Sequence, residues 1–559
     1  MNFLTLMFTE PKQTNMKKII CILTMAIALG SFAQKKLSTD YSYTVSEPYK
    51  VVDAEEKFYL SDEQGGVLTI KFDGKEIYIQ RFDGNKPGLL REKKYESFLP
   101  KHYVVEDVKK LGNKYYVFYS LWDGDNDKEQ LFAAEVDFDK AEFSGAPQLM
   151  MKVDGKVTGN YSGRMMDFDI RNKFDVMTSY DKKAILVKYR KKPEVKNDKK
   201  SFDIIGLGSF DGNLKKTATN EITMPYTERR MNNLDYQIDS KGNLYMLTKV
   251  FHDDSNDDKK SKKDTVANYH IELFTIKSGS DKMNTTKLEN KDKFINSLFI
   301  FDLPSSTSLI AGGYYSNGKG KNFMDNSDGV MTFKIKEDGT VFDQFNYDIP
   351  LEIINEYESE KSIKKNKRKE EKGEGAKLTG LRLNDLEAQK DGSLVLVGEQ
   401  FKIVSRTYTS NTGTKTVYNY YYEDILVTKI NPDGNLGWMS KVPKKQIGAK
   451  GQGGMSYKFF STPAEYYLVF LDNVKNIDLP KDKAPEVHSD GKGGYLTGVR
   501  LSAVDGTYKK GSILNAREVD DFKLHQFSTN RIIKTSDSSF IVEAYKKSKE
   551  DIMVKVVLK

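Results

Sequence analysis

The sequence holds one cysteine in 559 residues, Cys21, inside an apolar stretch near the N-terminus. A disulfide framework is thereby excluded, as is a thiol nucleophile in a chain that has lost that stretch. Histidine is scarce too: His102, His252, His270, His488 and His525 are isolated in the sequence, with no i, i+4 pair of the kind a zinc hydrolase uses. No Gly-x-Ser-x-Gly elbow occurs, and Gly448, Gly451, Gly453 and Gly454 do not follow the strand-to-helix pattern of a phosphate-cradling loop. Asp123 to Asp127 alternates carboxylates but lacks the glycine and the closing glutamate of a calcium loop. No metal and no cofactor are expected. Charge of one sign is also missing: 88 Lys and Arg against 80 Asp and Glu leave +8, which argues against a nucleic-acid partner.

Long apolar runs are absent as well. The longest near the N-terminus, Ile19 to Leu29, is too short to span a bilayer permanently. It follows Lys17 and Lys18 and precedes Ser31-Phe32-Ala33, which puts small residues at the −3 and −1 positions of a cleavage site. Residues 1–33 are therefore expected to be a signal peptide, with Met16 a better start than Met1. Residues 34–559 would be the exported chain, with no transmembrane segment, in the periplasm, at the outer membrane or secreted.

What is abundant is aromatic: 32 Tyr and 31 Phe make up most of a 12% aromatic fraction, a composition suited to half-buried strands. The strands repeat. From Ser393 an apolar run, Leu394-Val395-Leu396-Val397-Gly398, is followed by a long polar loop, then Ile425 to Ile430, the turn Asn431-Pro432-Asp433-Gly434-Asn435, and a strand through Trp438 to Val442. Pro432 presets φ at the first corner of the turn and Gly434 supplies the positive φ that closes a hairpin. Related units begin at Ser308 and Asn243. Weaker copies start near Phe58, Tyr115, Ala184, Tyr466 and Ser539, with turns at Asp73-Gly74, Asp211-Gly212 and Asp505-Gly506. The eight starts are spaced roughly 55 to 85 residues apart, a blade-like period once insertions are allowed.

Residues 427–438, Val-Thr-Lys-Ile-Asn-Pro-Asp-Gly-Asn-Leu-Gly-Trp, resemble the repeat of exported bacterial β-propellers. The resemblance implies a fold and not an activity. The expected architecture is all-β: a single propeller over residues 34–559, of about eight (seven or eight) four-stranded blades. The last unit, ending in Ile552 to Val557, stops one strand short, and Tyr41 to Val45 is the candidate to complete it by pairing the N- and C-terminal strands. The aspartate box of sialidase propellers is absent, and Ala503 to Thr507 departs from the quinoprotein docking motif.

Antiparallel order puts first-to-second and third-to-fourth turns on one face of a blade and the remaining loops on the other. The short Asp-Gly turns belong to the first class. The long insertions, Arg190 to Lys200, His252 to Val266, Lys402 to Tyr422, Asn473 to Lys492 and Glu358 to Lys377, belong to the second, which is where binding is expected. Within them, Lys361 to Lys377 reads as a mobile solvated loop of mixed charge, the alternative being a polyanion contact. Tyr418, Tyr420, Tyr421 and Tyr422, with Tyr408 across a turn at Asn411-Thr412-Gly413, read as a hairpin bearing a tyrosine ladder that packs across strands or meets a partner.

A second repeat marks where each blade begins: Asn172 to Asp175, Asn232 to Asp235, Asn296 to Phe299 and Asn384 to Glu387, two of them preceded by Arg230 and Arg382. If these line a channel rim on the long-loop face, Arg230, Asn232, Asp235, Asn296, Arg382, Asn384, Glu387, Asn172 and Asp175 converge on a polar or anionic ligand; otherwise Asn caps the bend and Leu or Phe anchors the blade. The sequence thus points to an exported, non-enzymatic binding or scaffolding module of the cell envelope. It would contact a protein or glycan, as a monomer or a subunit of an envelope complex. The alternative is a carbohydrate-active hydrolase or lyase using rim carboxylates such as Asp175, Asp235 or Glu387, since the needed separations of roughly 5 to 10 Å are set by the fold.

Overall fold

A computed structural model describes residues 37–164, 167–193, 198–288, 293–303, 308–320, 322–410, 413–449, 454–489, 494–520, 522–546 and 548–559. The expected signal peptide, the turn residues Asn411 and Thr412, and Gly451 and Gly453 lie outside these. The chain is all-β and propeller-like. Among the described residues, eight antiparallel sheets of four or more strands follow one another in chain order. Their first strands are Glu56–Ser61, Val104–Leu111, Phe174–Thr178, Met231–Ile238, Phe294–Asp302, Leu381–Ala388, Lys458–Ser461 and Ile532–Ser536. No helix among the described residues is long and apolar enough to cross a membrane.

The second strand of each sheet is the apolar run that the repeat predicts. Leu394, Val395, Leu396 and Val397 are fully buried, and so are Leu468 to Leu471, because each such strand is covered on both faces. What covers it is the neighbouring sheet. Ile70 and Ile79 of the first sheet pack with Val117 and Val136 of the second, and corresponding clusters join every later pair up to the seventh and eighth. A smaller cluster, Ile541 and Met553 with Val67, Phe82 and Tyr49, joins the eighth sheet back to the first. At about 1.5–3 kcal/mol per fully buried aliphatic side chain, these layers outweigh any surface ion pair.

The terminal strands pair as the sequence suggests. Tyr41–Val45 runs antiparallel to the last strand, with Tyr41 opposite Leu558 and Val45 opposite Val554, and Lys559 N donates to Asp40 O at 2.9 Å. This covers the edge of the eighth sheet. The best-matching repeat turn also forms as read: Gly434 has φ +90°, and Asp433 Oδ1 accepts from Asn435 N at 2.9 Å.

Two sequence expectations need correction. The unit placed near Phe58 is one strand out of frame: Phe58 lies in the first strand, and the apolar second strand is Val67–Asp73. Leu60 and its neighbours are apolar enough to mimic it. The Asp73-Gly74 turn therefore joins second and third strands, so the long-loop side of the first sheet has a tight turn. The charged segment Lys361 to Lys377, expected as a mobile loop, is helical as far as Glu371, within a twelve-residue helix that begins at Glu360. After a short helix α1 (Leu351–Asn355) comes α2 (Glu360–Glu371), capped by Ser359, whose Oγ accepts from Ser362 N at 3.2 Å. Lys, Arg and Glu are good helix formers, and the cap fixes the start.

Candidate functional site

The recurring Asn motif coincides with a repeated backbone irregularity. The first strands of four sheets break register: three breaks, between Asn233 and Asp235, Ile295 and Ser297, and Leu383 and Asp385, fall in the motif, the fourth lies between Val105 and Asp107, and the copy at Asn172 pairs without a break. Each bulge inserts one residue and re-aims the side chains around it. Those side chains reach the next sheet. Asp235 Oδ2 accepts from Ile300 N at 2.8 Å, and Asp385 Oδ2 accepts from Tyr457 Oη at 2.8 Å. Glu106, which the motif does not flag because no Asn precedes it, accepts from Lys173 N at 2.8 Å and from Ser120 Oγ at 2.5 Å. Burial pushes Asp235 up to about 6 and Glu106 up to about 7, against the hydrogen bonds that favour their ionised forms.

The remaining rim residues are mostly engaged locally. Asn296 Nδ2 donates to Met324 O and Asn326 O at 3.1 and 2.7 Å, pinning a loop of its own sheet. Arg230 donates to Phe251 O at 3.0 Å and His252 O at 3.3 Å. Asp175 pairs with Lys188 at 2.5 Å, and Asn172 is exposed at φ +54°. Asn232 is exposed opposite Lys249. Arg382 sits 4.1 Å from the Phe401 ring centroid, and Asn384 Nδ2 donates to Glu399 Oε2 at 3.3 Å. The expected convergence of both arginines with the Asn and carboxylate groups is not formed, because each arginine serves a loop of its own sheet.

Asn384 and Glu387 do share a cavity. About 390 Å³ is enclosed by Phe299, Phe301, Leu383, Asn384, Asp385, Leu386, Glu387 and Phe459. Glu387 also borders a second cavity of about 390 Å³, with Tyr180, Ser461 and Lys534, at the first-to-second-strand turns. It accepts from Ser461 Oγ. Glu387 thus faces the short-turn end and not the long-loop face where the motif had suggested it.

On the long-loop side the dominant feature is the hairpin made by Leu394–Ser410 and Gly413–Ile430. Leu381–Ala388 supports only residues 394–400 and Leu436–Val442 only 425–430; Gln446–Gly448 covers 420–422. Beyond that the two strands pair only with each other, from Val404 opposite Asn419 to Ser410 opposite Gly413. Register separates the expected tyrosine ladder. Tyr418, Tyr420 and Tyr422 share a face with Ser405, Ile403 and Phe401, whereas Tyr421 and Tyr408 lie on the other, opposite Lys402 and Lys415. Ile403, Tyr408 and Tyr418 are 49%, 56% and 54% exposed, more than side chains of this size usually are in a supported strand.

Sequence reading also missed a pairing. His252 and His270, isolated in the chain, meet across a hairpin with Nε2 and Nδ1 3.2 Å apart. His270 Nε2 lies 2.9 Å from Glu272 Oε1, which accepts from Tyr226 Oη at 2.9 Å. The register of the fourth sheet, Val250 opposite His270, brings them together. Among the described residues no group of three or more His, Cys, Asp or Glu side chains is arranged to hold a metal ion.

No family model and no curated protein matches the chain. Among solved structures it is similar to a prolyl endopeptidase, at 9% identity over 96% of this chain, with a TM-score of 0.36; the chain spans 60% of that protein's length. It is also similar to an apocarotenoid oxygenase of Synechocystis, at 9% identity over 86% of this chain and 94% of that one, with a TM-score of 0.34. A protein of unknown function from Bacteroides caccae has 10% identity over 65% and 90% of the two chains, with a TM-score of 0.26. At these scores the likenesses carry no argument about activity.

Proposed function

We propose that the sheets close into one eight-bladed propeller and that the protein is an exported binding or scaffolding module of the cell envelope, working without chemistry of its own. Closure is supported by the cluster that joins the eighth sheet to the first and by the pairing of the terminal strands. The binding role rests on the projecting hairpin. Its outer half exposes large apolar and aromatic side chains that no other part of the fold supports, while the rim carboxylates Asp235 and Glu387 are engaged between sheets. A protein or glycan partner of the envelope would dock there.

The test is capture from an envelope extract by the intact protein and by a variant in which Lys402 to Tyr421 is replaced with a two-residue turn. Loss of the captured partner on trimming is the expected result. The cavity lined by Asp385 and Glu387 favours the second reading, a carbohydrate-active enzyme. Turnover of a glycan that disappears in Asp235→Asn or Glu387→Gln, with capture unchanged on trimming, would replace the first reading with this one.

A further inference from the structure

The second helix sorts a mixed-charge sequence into faces. Its inward side carries Ser362, Ile363 and Asn366, all partly covered, with Asn366 Nδ2 donating to Asn355 Oδ1 at 2.9 Å. Its outward side carries Lys361, Lys364, Lys365, Lys367 and Arg368, followed by Lys372 at the C-cap, all exposed. Positions 361, 364, 365, 368 and 372 fall in one stripe at helical spacing. Of the nearby acids, Glu370 is turned back to accept from Ala376 N, while Glu360 and Glu371 are exposed and flank the stripe on its Lys364 side. Among the described residues none of the six cations is in an ion pair. The modest net charge of this segment hides a cationic stripe with acids along one edge.

The hairpin beside it has the same sign. From Phe401 to Tyr422 there are three cations and no acid: Lys402 is paired with Glu423 at 2.8 Å, and Arg406 and Lys415 stand exposed. The two elements are neighbours: Glu358, just ahead of the helix, and Lys402, at the hairpin base, line one groove of about 210 Å³ whose charges are mixed, with Glu423, Asp424, Lys444 and Lys445. The start of a helix with a cationic stripe thus meets the base of a ribbon whose aromatic side exposes Ile403 and Tyr418, with Tyr420 half-buried beside them.

We propose that this joint surface binds an acidic polysaccharide, the helix lysines meeting its carboxylates and the ribbon tyrosines packing on its sugar rings. The proposal rests on the binding-module reading and specifies its partner. Charge complementarity supplies long-range attraction, and an acid-free ribbon avoids repelling a polyanion at close range. Tyrosine offers an apolar ring face with a polar tip, the contact that a sugar ring with one apolar face and a polar rim requires.

Polygalacturonate is the probe, with neutral dextran, phosphatidylglycerol vesicles and polyphosphate as comparisons, and the full chain is used throughout. Wild-type protein is expected to bind polygalacturonate, to lose it as salt rises from about 50 to about 500 mM, and to prefer it over dextran, vesicles and polyphosphate. Lys364→Glu/Lys365→Glu/Arg368→Glu should weaken binding at least about tenfold, and Tyr418→Ser/Tyr420→Ser several-fold. No residue of the helix is buried, so an unchanged melting temperature would show the fold intact in the triple variant. Undiminished binding by the triple variant, absent binding by the wild type, or equal retention on dextran, vesicles or polyphosphate would overturn the proposal. If hairpin trimming still abolishes capture from the extract, the binding-module reading survives that failure; if trimming leaves capture unchanged, that reading itself falls.

Discussion

Where the eighth sheet meets the first, charged side chains are fully buried and held by one another; along the outer half of the hairpin they stand in solvent. At the seam, Lys71 lies 2.6 Å from Glu543, both inaccessible, and Tyr49 donates to the same carboxylate at 2.7 Å. Asp551 and Arg531 complete the group at 3.9 Å from its members. On the hairpin, Arg406 and Lys415 are exposed. A buried charge is kept only if it is paired, so seam residues are fixed by their partners. An exposed one is under no such constraint, which makes it available to something outside the chain.

The sharpest way to break this comparison is to remove one seam partner. Glu543→Ala would leave Lys71 buried without its carboxylate and should cost about 3–5 kcal/mol, read as a shift in the denaturant midpoint. Replacing the pair together, Lys71→Met with Glu543→Leu, should cost much less than either single change. A loss under about 1 kcal/mol for Glu543→Ala would mean the seam is not held by this network.

Acidity gives the next largest effect. Glu106 is raised to about 7, Asp235 and Asp551 to about 6, each chiefly by burial. A carboxyl raised on folding contributes stability that is complete below its unfolded value and is lost as pH climbs through the folded one. Glu543 runs the other way. Lys71 and Arg531 hold it down at about 2 against the opposing effect of burial, so its contribution is present above the ordinary carboxylate range and lost as pH falls toward 2. Across these groups stability should therefore peak near pH 4 and decline until about pH 7. In Glu106→Gln the decline should shrink by about 1–3 kcal/mol, measured as melting temperature across that range. An unchanged slope would mean that Glu106 is ionised at little cost between the sheets.

These contrasts also mark what the sequence makes legible. The second strands, the Pro432–Gly434 turn and the closing strand Tyr41–Val45 were readable because alternation, apolar runs and turn chemistry are local. The frame of the first sheet was misread since Phe58 to Leu60 is apolar as well. The Asn motif was visible as a repeat, yet its meaning depends on which neighbour a bulge aims Asp235 or Asp385 toward. Lys71 and Glu543 are 472 residues apart, and nothing near either announces the other. Helix α2 hid its cationic stripe because a net charge cannot show how a 3.6-residue period sorts it.

The smallest expected effect on stability is the most telling for function. Tyr408 and Tyr418 stand on opposite faces of a ribbon that touches little else, so Tyr408→Ser and Tyr418→Ser should each change unfolding free energy by less than about 0.5 kcal/mol. If the ribbon exists for a partner, the same substitutions should reduce capture from an envelope extract. The two need not act equally, because Tyr418 shares its face with Ile403 and Tyr420 whereas Tyr408 sits opposite Lys415. A greater loss from Tyr418→Ser would assign contact to the aromatic face, and a greater loss from Tyr408→Ser to the cationic one. A marked drop in stability from either, with capture unchanged, would make the ribbon a structural element like the seam and erase the distinction between the two regions.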